Sequence, residues 1–143
     1  MIVLDTDIVS AVMTTRRDHD PSPVEDWLQT VTDDVWTTAV TRSEVLAGIA
    51  MLPAGRRRST LARAADVLFA AMRDRTLPYL PEHAPHYARV IAARTRAGQQ
   101  AGAMDALIAA TALAHQATLA TRNTKDFLGF GLVLVNPYDP TTW

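Results

Sequence analysis

Four acidic side chains stand next to segments that the chain has reason to bury. Asp5 ends the apolar run Ile2-Val3-Leu4, and Glu44 lies early in an apolar-periodic stretch that opens at Val40. Asp105 begins the Ala-rich stretch that follows Gly102, and Asp126 closes Thr121-Arg122-Asn123-Thr124-Lys125-Asp126 after Thr118-Leu119-Ala120. Carboxylates gathered in one place repel each other and hold on to their protons. A hard divalent cation removes that penalty, because it takes oxygen ligands, commonly a few carboxylates plus waters. Such an ion can also neutralise charge on a phosphodiester and acidify a water. The acids therefore suit phosphoryl chemistry, provided the fold brings them together. Each also has a structural reading. Thr41-Arg42-Ser43-Glu44 fits a capping box, Asp105 in a first helical turn suits the macrodipole, and Asn123 to Asp126 could cap a single turn. Asp5 could be a helix N-cap, but a carboxylate at the end of a buried strand is costly unless something pairs with it.

The elements that would position these acids alternate. Ile2–Leu4 reads as a strand buried on both faces, followed by a short helix over 7–13. Ser22-Pro23-Val24-Glu25 is a capping box with Pro at the first helical position, and Val24, Trp27, Leu28 and Val31 continue it. A strand at 35–37 precedes helices over 40–52 and 57–73. The second carries the stripe Leu61, Ala65, Leu68 and Met72. A strand at 77–80, helices over 83–97 and 103–115, and strands at 118–120 and 132–135 complete the chain. Tyr87, Val90, Ile91 and Arg94 mark the first of these helices. Breaks fall near 16–23, 53–55, 78–85, 96–102 and 129–131. This order predicts an α/β domain with a mostly parallel sheet between helix layers. Sites in such sheets form at the carboxyl ends of strands, where Asp5 stands.

Composition sets the outer limits. With 143 residues, 48% of them hydrophobic and 20% charged, the chain is expected to form one folded domain over 1–143. Its net charge of −1 gives no general attraction to nucleic acid, so any contact with RNA must be local or assisted by a bound cation. The absence of cysteine excludes disulfides, thiolate nucleophiles and Cys-ligated zinc. The first residues lack a basic signal-peptide region, and no apolar run approaches the ~18–20 residues of a membrane span. A cytoplasmic location and no membrane association are expected.

Taken together, the motifs resemble a known family. Leu4-Asp5-Thr6-Asp7-Ile8-Val9-Ser10 resembles the opening strand and turn of PIN-domain nucleases, and Thr38 to Ile49, with Arg42-Ser43-Glu44-Val45, resembles their second acidic motif. Asp105-Ala106-Leu107-Ile108-Ala109-Ala110 resembles the third, and Ala120 to Phe127 followed by Val135-Asn136-Pro137-Tyr138 resembles the closing segment. The likeness runs over essentially the whole chain and is greatest to VapC toxins of bacterial toxin–antitoxin pairs. It implies a PIN-type three-layer α/β/α fold with about five strands, and endoribonuclease activity dependent on Mg2+ or Mn2+. It also implies a homodimer and inhibition by a VapB-type antitoxin whose peptide enters the active-site groove. Asp5, Glu44 and Asp105 match the family's invariant acids. The fourth acidic place falls at Asn123 in some relatives and at Asp126 in others; Asp126 is the favoured carboxylate here, with Asn123 as an oxygen ligand or positioning group. Where the family usually has Asn, this chain has Asp7, which either draws in a second metal or caps the following helix; the cap is the preferred reading. Thr6 and Thr121 could orient waters or phosphate. Arg122 and Lys125 could hold RNA phosphates or be solvated loop charges.

Other features carry less. Arg56-Arg57-Arg58 reads as a solvated helix start rather than an RNA or antitoxin contact. His83 and His86 lack a nearby third ligand for zinc, and His115 suits a helix C-terminus. Trp27 and Trp36 read as core or dimer contacts. Two rivals to the nuclease remain. Asp5-Thr6-Asp7 resembles the nucleophile motif of haloacid dehalogenase-like phosphohydrolases, but Lys125 is the only lysine and no late Asp-Asp pair is present. The other rival is a PIN module that binds RNA or a partner without cutting.

Overall fold

The structure, a computed structural model, describes residues 1–14, 22–99 and 102–143. Most of the expected break near 16–23 lies outside the described residues. Elsewhere the elements run β1 (Ile2–Leu4), α1 (Thr6–Thr14), α2 (Pro23–Thr30), β2 (Val35–Thr38), α3 (Ala39–Ala50) and α4 (Arg56–Ala71). They continue with β3 (Thr76–Leu77), α5 (Ala84–Arg96), α6 (Ala103–Ala114), β4 (Thr118–Ala120) and β5 (Leu134–Val135). A 3-10 turn over Thr124–Phe127 connects the last two strands.

The five strands form one sheet in the order β3-β2-β1-β4-β5, and every pairing is parallel. β1 is central, with Val3 opposite Trp36 of β2 and Leu119 of β4. Its side chains alternate between two cores. Val3 joins Val90 of α5 and Ile108 of α6, while Leu4 joins Ile8 of α1, Trp27 of α2 and Phe69 of α4. Helix α3 feeds both, with Val40 in one and Val45 and Ile49 in the other. Both faces of the sheet are thus covered, which is why its central strand β1 reads as a continuous apolar run. The result is the expected three-layer α/β/α arrangement.

Two strands are shorter than expected. β3 stops at Leu77 rather than Leu80, because Pro78 has no N–H to extend the ladder. β5 begins at Leu134 rather than at 132. Gly129 and Gly131, at φ 84° and 79°, turn the chain just before it. Helix α2 starts as its sequence dictates, with Ser22 Oγ accepting from Glu25 N–H at 3.3 Å and Pro23 in the first turn. Helix α3 starts earlier than the 41–44 pattern suggested. Thr38, extended at the end of β2, is its N-cap and accepts from Thr41 N–H at 2.9 Å. Glu44 therefore has no capping role and projects from the second turn. Trp27 is core, 1% exposed, whereas Trp36 is only partly buried.

Candidate active site

The sheet order places β1 and β4 side by side where the chain changes direction, so ligands are expected at their carboxyl ends. Asp5 leaves β1 there, and Thr121 leaves β4. Asp5 N–H donates to Ala120 O at 2.9 Å, extending the ladder by one residue. Its carbonyl then accepts Val9 N–H at 3.0 Å, which makes Asp5 the N-cap position of α1. The carboxylate is 6% exposed and receives two bonds: Thr6 N–H on Oδ1 and Thr121 Oγ1 on Oδ2, each at 2.8 Å. These do not offset its burial. Burial first, then the charges of Asp7 and Asp105, push Asp5 up to about 7.

The other acids gather around it. Thr6 Oγ1 donates to Glu44 Oε2 at 2.5 Å, tying the start of α1 to α3. Asp7 is not the N-cap residue of α1, a place that Asp5 takes, but it stands in the first turn with its carboxylate beside the Ile8 N–H. Its Oδ2 accepts Arg122 N–H at 2.9 Å from the loop after β4, and its Oδ1 is buried with no hydrogen-bond partner. Burial also raises the pKa of Asp7. Asp105, in the first turn of α6, is raised by burial; Arg94 opposes this, and the charges of Glu44, Asp126 and Asp7 add to it. Asp126 lies on the Thr124–Phe127 turn, where its carboxylate accepts from Asn123 Nδ2. Asn123 N–H in turn reaches Thr121 Oγ1 at 3.1 Å. Asp5, Asp7, Glu44, Asp105 and Asp126 thus share one electrostatic neighbourhood, linked through Thr6, Thr121 and Asn123. Lys125 is exposed beside it, and the Arg122 guanidinium lies 5.2 Å from the centre of the Tyr138 ring.

This donor set fits a hard divalent ion. Every contributing atom is oxygen, the Oδ1 of Asp7 is buried without a donor, and burial holds the Asp5 carboxyl up at about 7 despite its two hydrogen bonds. Among the described residues no three acids or histidines stand close enough together to hold one ion between them.

One member of the cluster has no counterpart among the candidates drawn from the sequence. Arg94 of α5 is 3% exposed, lies 4.0 Å from Asp105 Oδ2, and donates to the backbone carbonyl of Asp126. The signal was present: a charged residue completes the stripe Tyr87, Val90, Ile91, where an apolar one belongs. His83 proves to be a packed core residue, edge-on to Tyr79 and His115. A groove of about 550 Å3 between α1 and α4, lined by Val12, Met13, Val67 and Leu68 among others, includes none of these acids.

The PIN domain family model matches residues 2–129. The chain belongs to the PIN-domain nucleases of the VapC type. It is 34% identical to VapC ribonuclease Y4jK of Sinorhizobium fredii, covering 98% of this chain and 99% of that one. It is 31% identical to toxin FitB of Neisseria gonorrhoeae, covering 96% and 99%. Among solved structures, this PIN domain superposes on FitAcB from Neisseria gonorrhoeae with a TM-score of 0.81 at 31% identity, covering 96% of this chain and 99% of that chain. VapBC2 from Rickettsia felis, bound to a promoter DNA fragment, shares the fold at a TM-score of 0.79 and 21% identity, covering 95% and 98%. The dehalogenase-like reading falls with this assignment. Among the described residues, no helix is long and apolar enough to cross a membrane.

Proposed function

We propose that this chain, a single PIN-like domain over 1–143, is a metal-dependent endoribonuclease and the toxin of a VapBC-type toxin–antitoxin pair, acting in the cytoplasm. The observation that carries the reading is the buried Asp5 carboxylate at the junction of β1 and β4, within electrostatic reach of Asp7 and Asp105. Asp5, Glu44, Asp105 and Asp126 would hold Mg2+ or Mn2+, directly or through waters. When bound, the ion would supply positive charge to the scissile phosphate and acidify a water for in-line attack. Thr121 and Thr6 hold Asp5 and Glu44 in place, and Asn123 restrains Asp126. An acid that holds the ion only through water would take the proton that the attacking water loses. Arg122 and Lys125 would hold flanking RNA phosphates, as point charges in a molecule without net attraction for RNA. Two named relatives support the assignment, one a VapC ribonuclease and the other a toxin. Similarity to the FitAcB and VapBC2 structures supports a VapB-type antitoxin partner. A homodimer is the expected assembly.

The test compares the purified chain with Asp5→Asn on a mixed RNA panel, with Mg2+ or Mn2+ and then with EDTA. The expected result is cleavage that EDTA stops and that Asp5→Asn slows by about a hundredfold or more. Equal RNA loss with both proteins would contradict the reading. RNA bound but uncut under every condition would establish the non-cleaving module instead.

A further inference from the structure

Arg94 sits where α5 should present an apolar side chain. Burying a guanidinium is expensive unless its charge and donors are met, and an arginine cannot escape by losing its proton. The contacts around it are specific. Nη1 lies 4.0 Å from Asp105 Oδ2, Nη2 donates to the main-chain carbonyl of Asp126, and the guanidinium carbon is 5.3 Å from the centre of the Phe130 ring. The two ends of the fork reach two separate segments, the first turn of α6 and the 3-10 turn after β4. A planar group with a hydrogen bond at one end, an ion pair at the other and its charge over the face of an aromatic ring has restricted freedom to turn. The contact to Asp126 is through its backbone, so its carboxylate remains available to Asn123 and to a ligand.

We infer that Arg94 is a positioning residue, fixing the separation between Asp105 and the turn that carries Asp126 so that both carboxylates are presented to one divalent ion. This rests on the metal-dependent reading above. Lysine would keep the charge but offer a single point, reaching one segment at a time. The role is therefore one of geometry, and charge alone does not fulfil it.

The test measures Mn2+ affinity by titration calorimetry for the wild-type chain and Arg94→Lys, beside metal-free thermal melts of each. Arg94→Lys is expected to fold and to bind Mn2+ about tenfold more weakly, the scale on which groups that orient metal ligands act. Raising Mn2+ in proportion should restore its RNA cleavage, because affinity is the defect. If Arg94→Lys does not fold, Phe130→Leu removes only the ring over the guanidinium and should weaken Mn2+ binding roughly threefold. A folded Arg94→Lys, or Phe130→Leu in its place, that binds Mn2+ like the wild type overturns the inference and leaves the nuclease reading intact. A wild-type chain with no affinity for Mn2+ overturns both.

Discussion

In the unfolded chain the Asp5 carboxyl titrates near its ordinary value of 3.8, whereas in the folded protein burial raises it to about 7. Between those values the native state holds a proton that the unfolded state has lost. This contribution to stability is therefore complete below about pH 4 and is lost as the pH rises to about 7. Asp7 and Asp105 are shifted in the same direction. His83, whose pKa burial lowers from 6.5, has the opposite slope, stabilising above that value and losing stability as the pH falls. In EDTA the protein should melt at progressively lower temperature as the pH is raised through the Asp5 range. Asp5→Asn should flatten that dependence and melt higher than wild type at neutral pH, even though it disables the site. An Asp5→Asn variant with the wild-type pH profile would show that this carboxyl is not where the strain lies. The Thr121 hydroxyl is the main group opposing the shift. Thr121→Val leaves Asp5 Oδ2 without its donor and should cost about 1–3 kcal/mol in urea melts, more at pH 8 than at pH 5.

At the scale of elements, Gly102 shows how closely helix starts and site chemistry are joined. It is the N-cap of α6, and a Cβ built on it would stand 2.9 Å from Asp105 Oδ2. The obstacle is the end of a flexible side chain, so Gly102→Ala should leave the fold intact with a loss of roughly 1 kcal/mol or less. The Asp105 carboxylate must swing away, and Mn2+ affinity should fall several-fold in calorimetry; unchanged affinity would show that Asp105 tolerates displacement. The helices and strands were largely readable from periodicity, since both sheet faces are buried and β1 is apolar throughout. The errors were local competitions. Thr38 and Thr41 both precede residues that could complete a cap, and only the backbone leaving β2 decides for Thr38. Pro78 shortened a strand whose side chains alone would have extended it. Arg94 read as a helix marker because its partners lie 11 and 32 positions away in sequence, beyond any local pattern.

Over the whole molecule, four acids separated by up to 121 positions share one electrostatic neighbourhood, because Asp5 and Asp126 follow the adjacent strands β1 and β4 while α3 and α6 carry Glu44 and Asp105 to the same end. Their identities were legible as motifs in order. Their connections through Thr6, Thr121 and Asn123 needed coordinates, and so did the link from Asp7 to Arg122. The net charge of −1 adds a constraint: RNA binding should depend on a few local cations and on the ion, and weaken only modestly with salt. The central claim is that these distant acids form one ion site, and the direct measurement is Mn2+ binding followed by the paramagnetic resonance of the free ion. Wild type should bind Mn2+, while Asp5→Asn, Glu44→Gln and Asp105→Asn, each shown to be folded, should all bind it at least about tenfold more weakly. Wild-type binding retained in Glu44→Gln and Asp105→Asn would contradict the account.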